Sequence, residues 1–225
     1  MKKITSLVTV LFAAMSINSF GSDGYVTFAA TSHAAYDEFT TPGTGVAAPG
    51  DVTVTFLWAL VGTSDPLGSS VPINGVSNVG TGWNTVSSML SSGWSVAQDA
   101  GNGNAEADNT VNASGIFKGG IAYDGGTAFQ LANITGGDTY EFVVIGWDNL
   151  TGSTTLEQGM SGVVPLGWSN GFEYSTGATA GDPTLTFNLS GMNPFGVAAD
   201  PVPEPAILAL AGLGGLSLFF LRRKS

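Results

Sequence analysis

Tyr140-Glu141-Phe142-Val143-Val144-Ile145-Gly146-Trp147 is the stretch that decides the fold. It is apolar on both of its period-two faces and rich in β-branched and aromatic side chains, which predicts a central strand covered on both sides. Gly136-Gly137 just before it supplies a turn. A second run alternates: Val52, Val54, Phe56 and Trp58 share one face and Thr53 and Thr55 the other, the pattern of a half-buried strand. Thr184 to Leu189 alternates more cleanly still, with Leu185, Phe187 and Leu189 on one side. Tyr25 to Ala30 and Gly115 to Tyr123 are further strand candidates, and Asn74-Gly75 and Asp124-Gly125 are hairpin dipeptides. Helical patterning is confined to two short pieces, Thr85 to Leu90 and Thr154 to Met160. Strands and helices do not alternate, so a parallel α/β sheet is not expected. The expected fold is all-β: an antiparallel β-sandwich over residues 22–193, jelly-roll or Ig-like, with short helical insertions.

Composition agrees with many strands and turns. Glycine contributes 33 of 225 residues, and the 43% hydrophobic content is enough for a packed core. The charge is unevenly placed. The six basic residues are Lys2, Lys3, Lys118, Arg222, Arg223 and Lys224, so Lys118 is the one Lys or Arg between Ile4 and Leu221, a span that holds all 17 acidic residues. Such a polyanion does not fit nucleic acid, whose phosphates require Lys and Arg. Without cysteine, disulfides, thiolate metal sites and thiol catalysis are excluded.

The two ends read as addresses. Met1-Lys2-Lys3, an apolar run from Ile4 to about Ile17 and a small polar exit have the layout of a secretory signal peptide over residues 1–21, which makes the secretion translocon a partner. At the other end, Pro194 to Pro205 reads as a Pro-rich linker ending in Val202-Pro203-Glu204-Pro205. Ala206 to Leu221 is uncharged and is expected to form a transmembrane helix. Arg222, Arg223 and Lys224 then stop transfer, with residues 222–225 as a cytoplasmic basic tail. The order Pro-Glu-Pro, Gly-containing apolar run, Arg-rich end resembles the PEP-CTERM sorting signal. That resemblance implies processing by an exosortase near Pro203-Glu204-Pro205. It also implies a bacterium that makes exopolysaccharide, a single-pass inner-membrane intermediate with its domain outside, and a final place at the cell surface or in the extracellular matrix.

Three chemistries are open to the middle of the chain. Asp99, Asn102, Asn104, Glu106 and Asp108 form an oxygen-rich stretch that is the best Ca²⁺ candidate, although its spacing is not that of an EF-hand. Four of the five tryptophans follow a glycine. Of these, Trp83, Trp94 and Trp168 have polar neighbours and are candidate sugar-stacking platforms. Asp37-Glu38 and Glu106/Asp108 are the obvious carboxylate pairs for a glycoside-type hydrolase. His33 is the sole histidine, and no G-x-S-x-G elbow accompanies it. The leading expectation is a non-enzymatic exported surface or matrix protein. The alternatives are a carbohydrate-binding module acting on exopolysaccharide and a secreted hydrolase.

Overall fold

A computed structural model describes residues 23–39, 46–47, 50–71, 79–118, 129–182 and 184–199. The strands in chain order begin with β1 (Asp23–Val26), β2 (Ala29–Ala30), β3 (Ala35–Glu38) and β4 (Val52–Leu60). After helix α1 (Val79–Leu90) come the short strands β5 (Ser95–Val96), β6 (Gln98–Asp99), β7 (Ala105–Glu106), β8 (Asn109–Thr110) and β9 (Phe117–Lys118). Then follow β10 (Phe129–Thr135), β11 (Thr139–Asp148), helix α2 (Leu156–Gly162), β12 (Leu166–Trp168), β13 (Phe172–Ser175) and β14 (Phe195–Ala198).

The dominant sheet has eight strands and curls into a half-barrel. Its main path runs β3-β14-β12-β11-β4-β5, with β13 also on β11 and β8 also on β4. β4 and β11 pair antiparallel along nearly their whole lengths, from Tyr140 opposite Leu60 to Asp148 opposite Val52. On the other side of β11, β12 and β13 act as one strand broken by a bulge. There the Ser169 hydroxyl accepts the Val144 N–H at 2.9 Å, filling the gap in the ladder. β14 joins β3 in parallel. A four-stranded sheet β1-β10-β6-β7 and the pair β2-β9 complete the β structure.

The expected antiparallel sandwich is therefore corrected, and the reason lies in β4 and β11 themselves. Their two faces are both apolar, so both must be covered. On one face Val52, Val54, Phe56, Tyr140, Phe142 and Val144 pack into an aromatic core with Val26, Leu131 and other residues of the smaller sheets. On the other, Leu57, Ala59, Val143, Ile145 and Trp147 pack beneath Trp83, Val86 and Met89 of α1 and Leu156 of α2. The helices are thus a covering layer on the large sheet rather than insertions at the rim of a sandwich. β4, expected to be half-buried, has even Thr53 and Thr55 inside.

Two further expectations change. Thr184 to Leu189 is not a strand: Phe187–Leu189 is a 3₁₀ turn, with Phe187 fully buried and Leu185 and Leu189 58% and 65% exposed. Phe187 enters the aromatic core among six rings, 5.1 Å from Phe56 and 5.2 Å from Tyr174. A ring at that centre outweighs the alternation of its neighbours. The Pro-rich linker expected over 194–205 is also shorter than expected, because Phe195 to Ala198 is the buried strand β14.

Asn74-Gly75, Asp124-Gly125, the signal segment 1–21 and the span 206–221 lie outside the described residues. Among the described residues no helix is long and apolar enough to cross a membrane. α1 has 12 residues and α2 has 7, against the roughly 20 that a bilayer core requires. The expected transmembrane helix and the single-pass intermediate built on it are corrected accordingly: the described fold provides no such anchor.

Candidate functional site

The tryptophans have structural work. Trp83 and Trp94 are buried and Trp168 is half-buried, with its ring against Gly82 of α1. Four of the five indoles donate Nε1–H to a backbone carbonyl: Trp83 to Val164 at 2.9 Å, Trp94 to Ser64 at 2.9 Å, Trp147 to Ser153 at 2.8 Å and Trp168 to Ser69 at 2.9 Å. The rings are pegs, apolar body in the core and polar tip satisfying a connecting segment. The glycines before them serve packing: Gly146 leaves room for Phe195, and Gly167 for the backbone of β14. A platform of Trp83, Trp94 and Trp168 does not exist, because two of the three rings offer sugar no open face.

The oxygen-rich stretch is a tight hairpin. Asp99 pairs with Ala105 and Glu106 with Gln98, which puts the two carboxylates on opposite faces. Asp99 Oδ1 accepts the N–H groups of Gly101 and Asn102 at 3.0 and 3.2 Å, capping the Ala100–Asn102 3₁₀ turn. Asn104 takes a left-handed conformation in the turn. Glu106 reaches across to α2, where the Leu156 N–H lies 2.9 and 3.2 Å from its two oxygens. Among the described residues no group of three or more His, Asp or Glu side chains is arranged to hold a metal ion. The five residues proposed for Ca²⁺ do not converge.

Of the carboxylate pairs expected from sequence, Asp37 and Glu38 lie buried in β3 rather than on an exposed loop. His33 is exposed beside that strand. The pair that the fold does assemble is Asp65 with Glu141. Both flank Gly171 at the β12–β13 bulge: a Cβ there would stand 3.0 Å from Asp65 Oδ2 and 3.1 Å from Glu141 Oε1. Asp65 Oδ1 accepts the N–H groups of Leu67 and Gly68 at 3.0 and 3.3 Å. Burial raises the pKa of both carboxyls, and for Glu141 the negative charges of Asp65 and Glu173 add to it. The pair is a convergent acidic arrangement that sequence reading missed. Its members are far apart in the chain, and the loop carrying Asp65 is placed by the indoles of Trp94 and Trp168.

Beyond the described fold the chain continues into the segment that carries the Pro-Glu-Pro run and the basic end. Residues 201–224 match the PEP-CTERM protein-sorting motif. The chain is an exported protein processed by an exosortase system, and the exosortase is a partner. Val202-Pro203-Glu204-Pro205 and Arg222-Arg223-Lys224 fall inside the matched PEP-CTERM segment, which begins three positions after the last residue of β14. No curated protein and no solved structure matches the chain.

Proposed function

We propose that this PEP-CTERM chain is a non-enzymatic component of the cell surface or extracellular matrix. In this reading residues 1–21 take it through the secretion translocon, the sorting tail is processed, and the acidic β domain is what remains outside. The observation that carries the reading is the direct succession of β14 and the sorting motif. The domain is packed to Ala198, and the motif starts at residue 201. The side chains with the best claim to chemistry are engaged elsewhere: Asp99 caps a turn, Glu106 caps α2, and the indoles hold loops. In this reading the surrounding polymer is exopolysaccharide.

The test is to express the chain with and without an exosortase, fractionate the cultures and weigh the protein. The expected product lacks the tail and sits in the matrix fraction only when the exosortase is present. An identical mass and location in both strains overturns the reading. The double variant Asp65→Asn, Glu141→Gln should deposit as the wild type does. A polysaccharide-cleaving activity lost in that variant would replace the reading with a hydrolase.

A further inference from the structure

α2 lies over the helix-side core as a short flap. Leu156 and Gly159 face inward, and Gly159 presses on the Trp147 and Trp83 rings, where a Cβ would stand 3.0 and 3.1 Å away. A capping box between Thr155 and Gln158 makes α2 a self-contained turn of helix. Glycine at Gly152, with φ +84°, and Val163, with φ +50°, mark its two ends as sharp changes of backbone direction. Three clips hold it. Trp147 donates to Ser153 just before the helix and Trp83 to Val164 just after it. The third is the Glu106 carboxylate on the Leu156 N–H.

The first two clips do not titrate and the third does. A half-buried carboxylate needs two or three donors or a nearby cation to hold its charge. Among the described residues Glu106 accepts one N–H, shared between both oxygens. The charged groups facing it are Asp108 from its own segment and Glu157 from α2, both acidic. We propose that α2 is a pH-governed flap, held closed over Trp147 and Trp83 by Glu106 in mildly acidic surroundings and loosened in alkaline ones. Burial, with the charges of Asp108 and Glu157 adding, pushes the Glu106 pKa up to about 7, so the closed flap weakens between the ordinary glutamate value of 4.5 and about 7. Once the flap lifts, the carboxylate is hydrated and regains its ordinary acidity. Opening therefore becomes easier as pH rises from 4.5 to about 7 and levels off above that. The inference does not depend on the proposed matrix role.

Hydrogen exchange of the full chain at about pH 5 and pH 8 tests it. After correction for intrinsic exchange, the Gly159 and Val164 amides are expected to lose about tenfold protection or more at the higher pH, with the β11 amides unchanged. In Glu106→Gln the difference should vanish. Equal α2 protection at both pH values in the wild type, or the same loss surviving in Glu106→Gln, overturns the proposal. Acrylamide quenching of indole fluorescence reads the same event without substitution of Glu106. A rise in quenching that levels off near neutrality, and levels off at lower pH in Asp108→Asn, supports the flap, and pH-independent quenching overturns it.

Discussion

Gly167 of β12 faces the backbone of Gly196 in β14 so closely that a Cβ on Gly167 would stand 2.0 Å from the Gly196 carbonyl oxygen. Backbone cannot step aside as a flexible side chain can. Gly167→Ala should therefore separate β12 from β14, at a cost of about 3 kcal/mol or more. Chemical denaturation gives the loss, and limited proteolysis should show new cleavage at residues 195–198. A variant as stable as the wild type would mean that the two strands are not in this register.

Phe187 carries the aromatic core. Phe187→Ala should destabilise by about 3–5 kcal/mol, because six rings lose a partner at once. Leu185→Ala and Leu189→Ala should each stay within about 0.5 kcal/mol, since both side chains are exposed. Equal losses at all three positions would restore the strand that alternation suggested.

The pH dependence of global stability has a definite sign. Burial raises the pKa values of Asp51, Asp65, Glu106, Asp108 and Glu141. Such carboxyls hold their protons longer in the native state than in the unfolded chain, so their stabilisation is present at low pH and lost as pH rises through the native values. For Glu106 the window runs from 4.5 to about 7. The urea midpoint should be higher near pH 5 than near pH 8. Glu106→Gln should add about 1 kcal/mol at pH 8, the charge cost being reduced by partial exposure and by the weaker hydrogen bond of an amide. A stability maximum on the alkaline side would contradict this.

Val163 is a β-branched residue in the left-handed C-cap position of α2, and 54% of it is exposed. Glycine suits that conformation and little packing is lost, so Val163→Gly should stabilise by about 1 kcal/mol. Thermal unfolding measures it, and a destabilised variant would place the strain elsewhere.

The sequence was legible where periodicity and burial agree. YEFVVIGW announced a strand covered on both faces, and β11 is that strand. The same observation already demanded three layers, yet weak helix signals hid the third. Gly80 and Gly82 lie in the first turns of α1 and depress its propensity, while packing of Gly82 against Trp168 and Leu166 is what retains it there. β14 was obscured by the prolines around it. Trp83 and Trp94 looked exposed because their sequence neighbours are polar, but Thr81 and Asn84 on α1 and Ser91 and Ser92 after it take the solvent side while both rings point inward. Asp65 and Glu141 could not be paired from the chain alone, because only the bulge at Ser169–Gly171 brings their carboxyls to the same glycine.

The place of β14 also sets an order of assembly. It seats between β3, from near the beginning of the described chain, and β12, so the large sheet has a gap until its final segment arrives. A polypeptide emerging N-terminus first cannot complete this sheet while its C-terminal end is still in transit. Maturation of the domain and delivery of its sorting tail are thus consecutive events on one short length of chain. A prematurely terminated product would betray itself by an open seam.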